Sequence, residues 1–180
     1  MKKLLLCSIC FLYATVAFSQ PVTIYGLTLG EKVNLPACPI TAQNADKAIA
    51  HQLADVTQIC ATLRTLPSLK PGEQGIAIAF PAQQKPNFSL HNFVLGALDA
   101  EGRLNFLVIL TEGLVTQEQV LNNLIYKFGP PVFIEGETEN SPPILGKRLQ
   151  ALWNLYPRQT IVFIGQIPGK NYGTIRLSLH

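Results

Sequence analysis

The chain has 180 residues, of which 48% are hydrophobic and 14% charged, and its formal net charge is +3. Of the 14 basic residues, Lys2 and Lys3 lie in an N-terminal leader, which leaves 12 against 11 acidic ones, a balance of +1. Near-neutral charge without a basic run interleaved with aromatics excludes a nucleic-acid footprint and a polybasic membrane contact.

Met1-Lys2-Lys3 is a positive n-region, residues 4–18 are an apolar run, and Ala17-Phe18-Ser19 is a small-x-small site before Gln20. Together they predict a secretory signal peptide over residues 1–19. The apolar run is shorter than the roughly 18 to 20 residues that span a bilayer. Cys7 and Cys10 lie too early in it for lipidation. The mature protein is therefore expected in the periplasm or secreted, with no stable membrane insertion, and long enough for one domain with a real core. Cys38 and Cys60 remain after cleavage, and in an oxidising compartment two thiols are most simply a disulfide. Neither has a ligand at metal-binding spacing, and a redox couple is more often Cys-x-x-Cys.

Residues 21–25 are a short β-prone entry, and residues 26–36 read as a turn and a helical turn stopped by Pro36. Ile49, Leu53, Val56, Ile59 and Leu63 recur at steps of three and four, which predicts a helix over 45–63. Residues 67–75 are a loop rich in breakers. After Gly75 the period changes to 2. Residues 76–80 are a strand ended by Pro81, and the apolar runs 90–98 and 104–111 form a hairpin about Asp99-Ala100-Glu101-Gly102.

The most fully specified stretch follows, from Gly113 to Pro131. Thr116 and Gln119 have the spacing of a capping box, and Val115 and Val120 that of a hydrophobic staple. Val120, Leu121, Leu124, Ile125 and Phe128 form one apolar stripe, and Gly129, Pro130 and Pro131 end the helix. Beyond it, residues 132–135 are a short strand, 136–146 an exposed loop, and 149–156, 160–167 and 172–179 three further strands. In the last one Ile175, Leu177 and Leu179 alternate with Thr174, Arg176 and Ser178, the pattern of a sheet with one buried and one wet face.

Gly26-Leu27 with Glu31 and Val33 shares a frame with Gly113-Leu114, Glu118 and Val120: a Gly-Leu entry and a Val seven positions after the Gly. The expected fold is α+β, two tandem modules over residues 20–111 and 112–180, each a helix plus antiparallel strands, packed as one compact domain. Gly113-Leu114, Thr116, Val120, Leu124 and Phe128-Gly129 with Pro131 resemble the entry helix of the SmpA/OmlA outer-membrane assembly proteins. The module is also similar to that of the β-lactamase-inhibitor proteins, which use two in tandem. The resemblance implies a secreted or periplasmic scaffold that binds other proteins through its sheet face.

Residues that carry chemistry are sparse. His51 falls on the predicted 45–63 helix, His91 at a strand start and His180 at the chain end. Ser89, His91 and Asp99 are the nearest approach to a hydrolytic set, without a Gly-x-Ser-x-Gly elbow. Glu135, Glu137 and Glu139 alternate on a loop that lacks the order of a calcium site and reads as a solvated acidic stretch. Trp153 and Tyr156, with Phe163 and Tyr172 on neighbouring strands, form a candidate aromatic patch, although Trp153 next to polar Asn154 also fits the core. No catalytic residue, metal ligand or cofactor site is expected. The expected function is non-enzymatic binding of another protein, as an inhibitor or immunity-type partner, through Tyr156, Tyr172, Trp153, Glu135, Glu137 and Glu139. The alternatives are an envelope hydrolase using His91 and Asp99, and an outer-membrane assembly component.

Overall fold

The computed structural model describes residues 21–40, 48–67, 69–135, 148–155 and 158–180. The expected signal peptide, residues 1–19, lies outside the described residues. The first elements are two short strands, β1 (Thr23–Ile24) and β2 (Leu27–Thr28), paired antiparallel. Tyr25 and Gly26 between them have φ of 52° and 76°. Two consecutive positive φ values are what a tight hairpin turn with the right-handed strand twist requires. The helical turn expected over 26–36 is thus corrected to a hairpin and an extended strap. The strap is held by hydrogen bonds from Gly30 N–H to Leu104 O and from Val33 N–H to Gly102 O.

The helix expected over 45–63 is corrected as well. It is reduced to one turn, α1 (Ile49–Gln52), and from Cys60 the chain is a strand, β3 (Cys60–Arg64). The apolar spacing was real, since Leu53 and Val56 are buried, but Leu63 is 64% exposed. Sheet pairing overrides a thin helical stripe here: Cys60 lies opposite Ala79, and Leu63 opposite Ile76.

The chain continues through β4 (Gln74–Ala79), β5 (Phe93–Leu98), β6 (Leu104–Thr111), α2 (Gln117–Phe128), β7 (Phe133–Glu135), β8 (Gln150–Leu155), β9 (Gln159–Ile164) and β10 (Gly173–Leu179). Eight strands make one antiparallel sheet in the order β3-β4-β5-β6-β10-β9-β8-β7. It is two four-stranded meanders joined where β6 meets β10. The α+β class holds, but the protein is richer in strand than a pair of helix-plus-strand units, because the described residues contain one full-length helix, α2. The expected hairpin at residues 99–102 is present, with Gly102 at φ 76°.

α2 carries its stripe as expected: Val120, Leu121 and Leu124 are buried, with Ile125 and Phe128 packed beside them. Gly129, at φ 78°, ends it. Its start differs from the expectation. A 3-10 turn over Gly113–Val115 leads into the helix, and Thr116 has helix-like angles of φ −116° and ψ 0° and makes no side-chain cap bond. A capping side chain needs an extended backbone at that position. Val115 is 89% exposed, so no staple forms.

The α2 stripe, together with Val22, Ile24 and Leu29 from the entry hairpin, closes over one sheet face that presents Ile76, Ile78, Leu107, Ile109, Trp153, Ile161, Phe163, Ile175 and Leu177. On the other face, among the described residues, a smaller cluster of Leu53, Val56, Cys60, Ala77, Ala79 and Phe93 covers only the β3–β5 end. There Cys38 and Cys60 form the expected disulfide, 22 residues apart in sequence with Cα atoms 4.9 Å apart. Cys38 N–H donates to Ala61 O at 3.0 Å and Ala61 N–H to Pro36 O at 2.8 Å, so residues 36–38 run along the outer edge of β3. Replacing both cysteines by serine should lower stability by roughly 3 kcal/mol, read as a lower urea midpoint. An unchanged midpoint would show that the bridge constrains nothing.

Candidate interaction surface

In a strand, alternate side chains point to opposite faces, so the register decides which residues share the face turned away from α2. One row crosses six strands by direct pairing: Leu95 opposite Val108, Val108 opposite Arg176, Arg176 opposite Val162, Val162 opposite Leu152, and Leu152 opposite Phe133. A second row holds Leu110, Thr174, Ile164, Gln150 and Glu135; a third holds Phe106, Ser178, Thr160 and Asn154.

Phe106, Val108, Leu110, Leu152, Val162 and Ile164 are half-buried, and Phe133 is 49% exposed. None of them belongs to either core cluster. Leu95 packs on the smaller cluster, so the open surface begins where the α1 segment stops covering the sheet. Val132 and Ile134, in the opposite phase of the β7 edge, are also exposed. Arg176 stands exposed in the middle and makes no hydrogen bond or ion pair among the described residues. A contiguous apolar area framed by polar groups is the usual form of a protein-binding surface.

Of the residues singled out from sequence, Glu135 is exposed at the β7 edge of this face. Tyr172 is half-buried just before β10, its carbonyl accepting from Ile167 N–H at 2.9 Å. Trp153 is in the core at 1% exposure, and its indole N–H donates to Gly129 O at 2.8 Å, tying the end of α2 to β8. Phe163 is fully buried beside it. Tyr156, Glu137 and Glu139 lie outside the described residues.

His91 and Asp99 are not brought together. They flank β5 (Phe93–Leu98) at opposite ends, and the strand between them alone spans roughly 17 Å at a rise of about 3.3 Å per residue. The His91 ring stacks on Phe93 with centroids 5.0 Å apart, and burial followed by the charge of Lys85 holds its pKa below the ordinary histidine value. Ser89 Oγ donates to the His91 carbonyl at 2.7 Å, so it is engaged with the backbone and not with the imidazole. Asp99 Oδ1 accepts from Glu101 N–H at 3.0 Å and Arg103 N–H at 2.8 Å, which fixes the β5–β6 turn. Among the described residues no group of three or more His, Cys, Asp or Glu is placed to hold a metal ion.

The surface residues Phe106, Val108, Leu110, Leu152, Val162 and Ile164 were not singled out from sequence. Their signal was present: Phe106-Leu107-Val108-Ile109-Leu110 is apolar in both phases of the alternation. An antiparallel strand apolar in both phases has two apolar faces, and in this sheet one helix covers only one of them.

The chain was compared with protein-family models, with curated proteins and with solved structures, and it matches none of them. The disulfide is compatible with a secreted or periplasmic location, as is the finding that no helix among the described residues is long and apolar enough to cross a membrane. Because Asp99 accepts two backbone hydrogen bonds, Asp99→Ala should cost about 1–2 kcal/mol of stability and Asp99→Asn considerably less. Equal urea midpoints for the alanine variant and the parent would remove this turn-fixing role.

Proposed function

We propose that this is an exported, non-enzymatic protein that binds another protein, as an inhibitor or immunity-type partner, through the sheet face opposite α2. The observation that carries it is the row from Val108 to Phe133: apart from Arg176 its side chains are aliphatic or aromatic, half-buried or exposed, and they cross five strands without belonging to a core cluster. Leaving so much apolar area in water favours burying it against a partner at about 25 cal/mol per Å². The signal peptide over residues 1–19 and the Cys38–Cys60 disulfide support an oxidising compartment outside the cytoplasm. The mirrored strand order supports two tandem modules, since two four-stranded units meeting at their last strands produce it.

A photo-crosslinking residue at Val162 in the producing cell should give a covalent adduct with a discrete protein. The same residue at Tyr126, which is 92% exposed on α2, should not. Val162→Asp, at a half-buried position paired on both sides, should cost about 1 kcal/mol of stability and leave the protein folded, while adducts from a crosslinker at Leu152 disappear. Adducts that form equally from Tyr126, or that persist in the Val162→Asp background, would contradict the assignment.

A further inference from the structure

The open face has one feature that narrows the chemistry of what covers it. In the row Leu95, Val108, Arg176, Val162, Leu152, Phe133, Arg176 is the sole charged residue, and both side chains directly opposite it on β6 and β9 are valines. Its neighbours on the same face of β10 are Thr174 and Ser178, neither of which is an acid. The acid that shares the face, Glu135, sits on β7, three strands away, roughly 14 Å at about 4.8 Å per strand. The guanidinium therefore has no carboxylate of its own sheet within reach.

Covering this face without pairing Arg176 would leave a cation desolvated among apolar groups, which is strongly unfavourable. Covering it with a carboxylate aligned to the guanidinium fork gives two charge-assisted hydrogen bonds in a site that valine side chains keep dry. Arginine surrounded by water-excluding contacts near the middle of an interface is also a common place for binding energy to concentrate.

We infer that Arg176 is the anchor of the interface, and that the partner protein offers it an Asp or Glu side chain flanked by apolar residues. This rests on the proposal that the face binds protein. The experiment is selection of random peptides displayed on phage against the immobilised full chain, with the winners measured against Arg176→Ala, Arg176→Lys and Val162→Asp. All variants are first checked to be folded, by a cooperative urea transition.

Peptides enriched on the parent should carry an Asp or Glu next to aliphatic or aromatic residues. They should bind Arg176→Ala at least tenfold more weakly, with Arg176→Lys in between because the bidentate fork is lost and the charge kept. Peptides that bind Arg176→Ala as tightly as the parent but lose binding to Val162→Asp would overturn the anchor and leave the face intact as a binding surface. Peptides indifferent to Val162→Asp would overturn the face itself, and a selection that enriches nothing counts against both.

Discussion

The pairing of β6 with β10 is the constraint on which the rest of the structure depends. It joins the two meanders through the register from Thr111 opposite Gly173 to Phe106 opposite Ser178, with strands more than sixty residues apart in sequence. Glycine at position 113 admits the close approach at the end of this seam, where a Cβ would lie 2.7 Å from Asn171 O; Gly173 does the same for the neighbouring β9–β10 approach, where a Cβ would collide with the carbonyls of Gly165 and Ile164. Gly113 also has φ 68°, where other residues are strained. Its place at the start of the helical stretch is thus explained by the sheet seam and not by the helix.

With the seam fixed, each strand has one phase facing α2 and one facing away. The first phase is closed by the α2 stripe and the entry hairpin, where Tyr25 donates to Asn87 O at 2.6 Å and burial pushes its phenol up to about 12, so that it stays a donor. Among the described residues the second phase is closed only over β3 to β5, by the segment that the Cys38–Cys60 bridge holds in place. The two sheet edges are treated differently too. The β3 edge is occupied by residues 36–38, whereas β7 is kept to three residues and preceded by two prolines, devices that limit edge-to-edge pairing with other chains. What remains open is a broad face and not a long edge, which is why the surface proposed for partner binding is the face.

Local signals were read correctly where one interaction dominated. Asp99 and Gly102 make their turn by bonds within five residues, Gly129 stops α2 by its own backbone angle, and Cys38 and Cys60 are the two cysteines beyond the N-terminal apolar run. The 45–63 stretch was misread because its helical spacing competes with pairing of Cys60–Arg64 to β4, a contact no local window contains. Thr116 has the right residue type for a cap, but the 3-10 turn fed by Gly113 sets its backbone outside capping geometry, so its hydroxyl is buried without a partner. Arg176 was legible as facing water. That its neighbours on β6, β9 and β8 are apolar, half-buried and outside the core clusters depends on strand order, and strand order is set by the seam.

The most direct measurement of the account is thiol reactivity on the two faces. Single cysteines at Val108 and Val162, both half-buried, should react with a maleimide in the native protein, more slowly than an unfolded control but without requiring unfolding, once the signal of the parent chain is subtracted. Cysteines at Ile109 and Ile161, which are 0% and 1% exposed, should react only on unfolding. Protection of positions 108 and 162 equal to that of 109 and 161 would contradict an open face and, with it, the binding surface built on it.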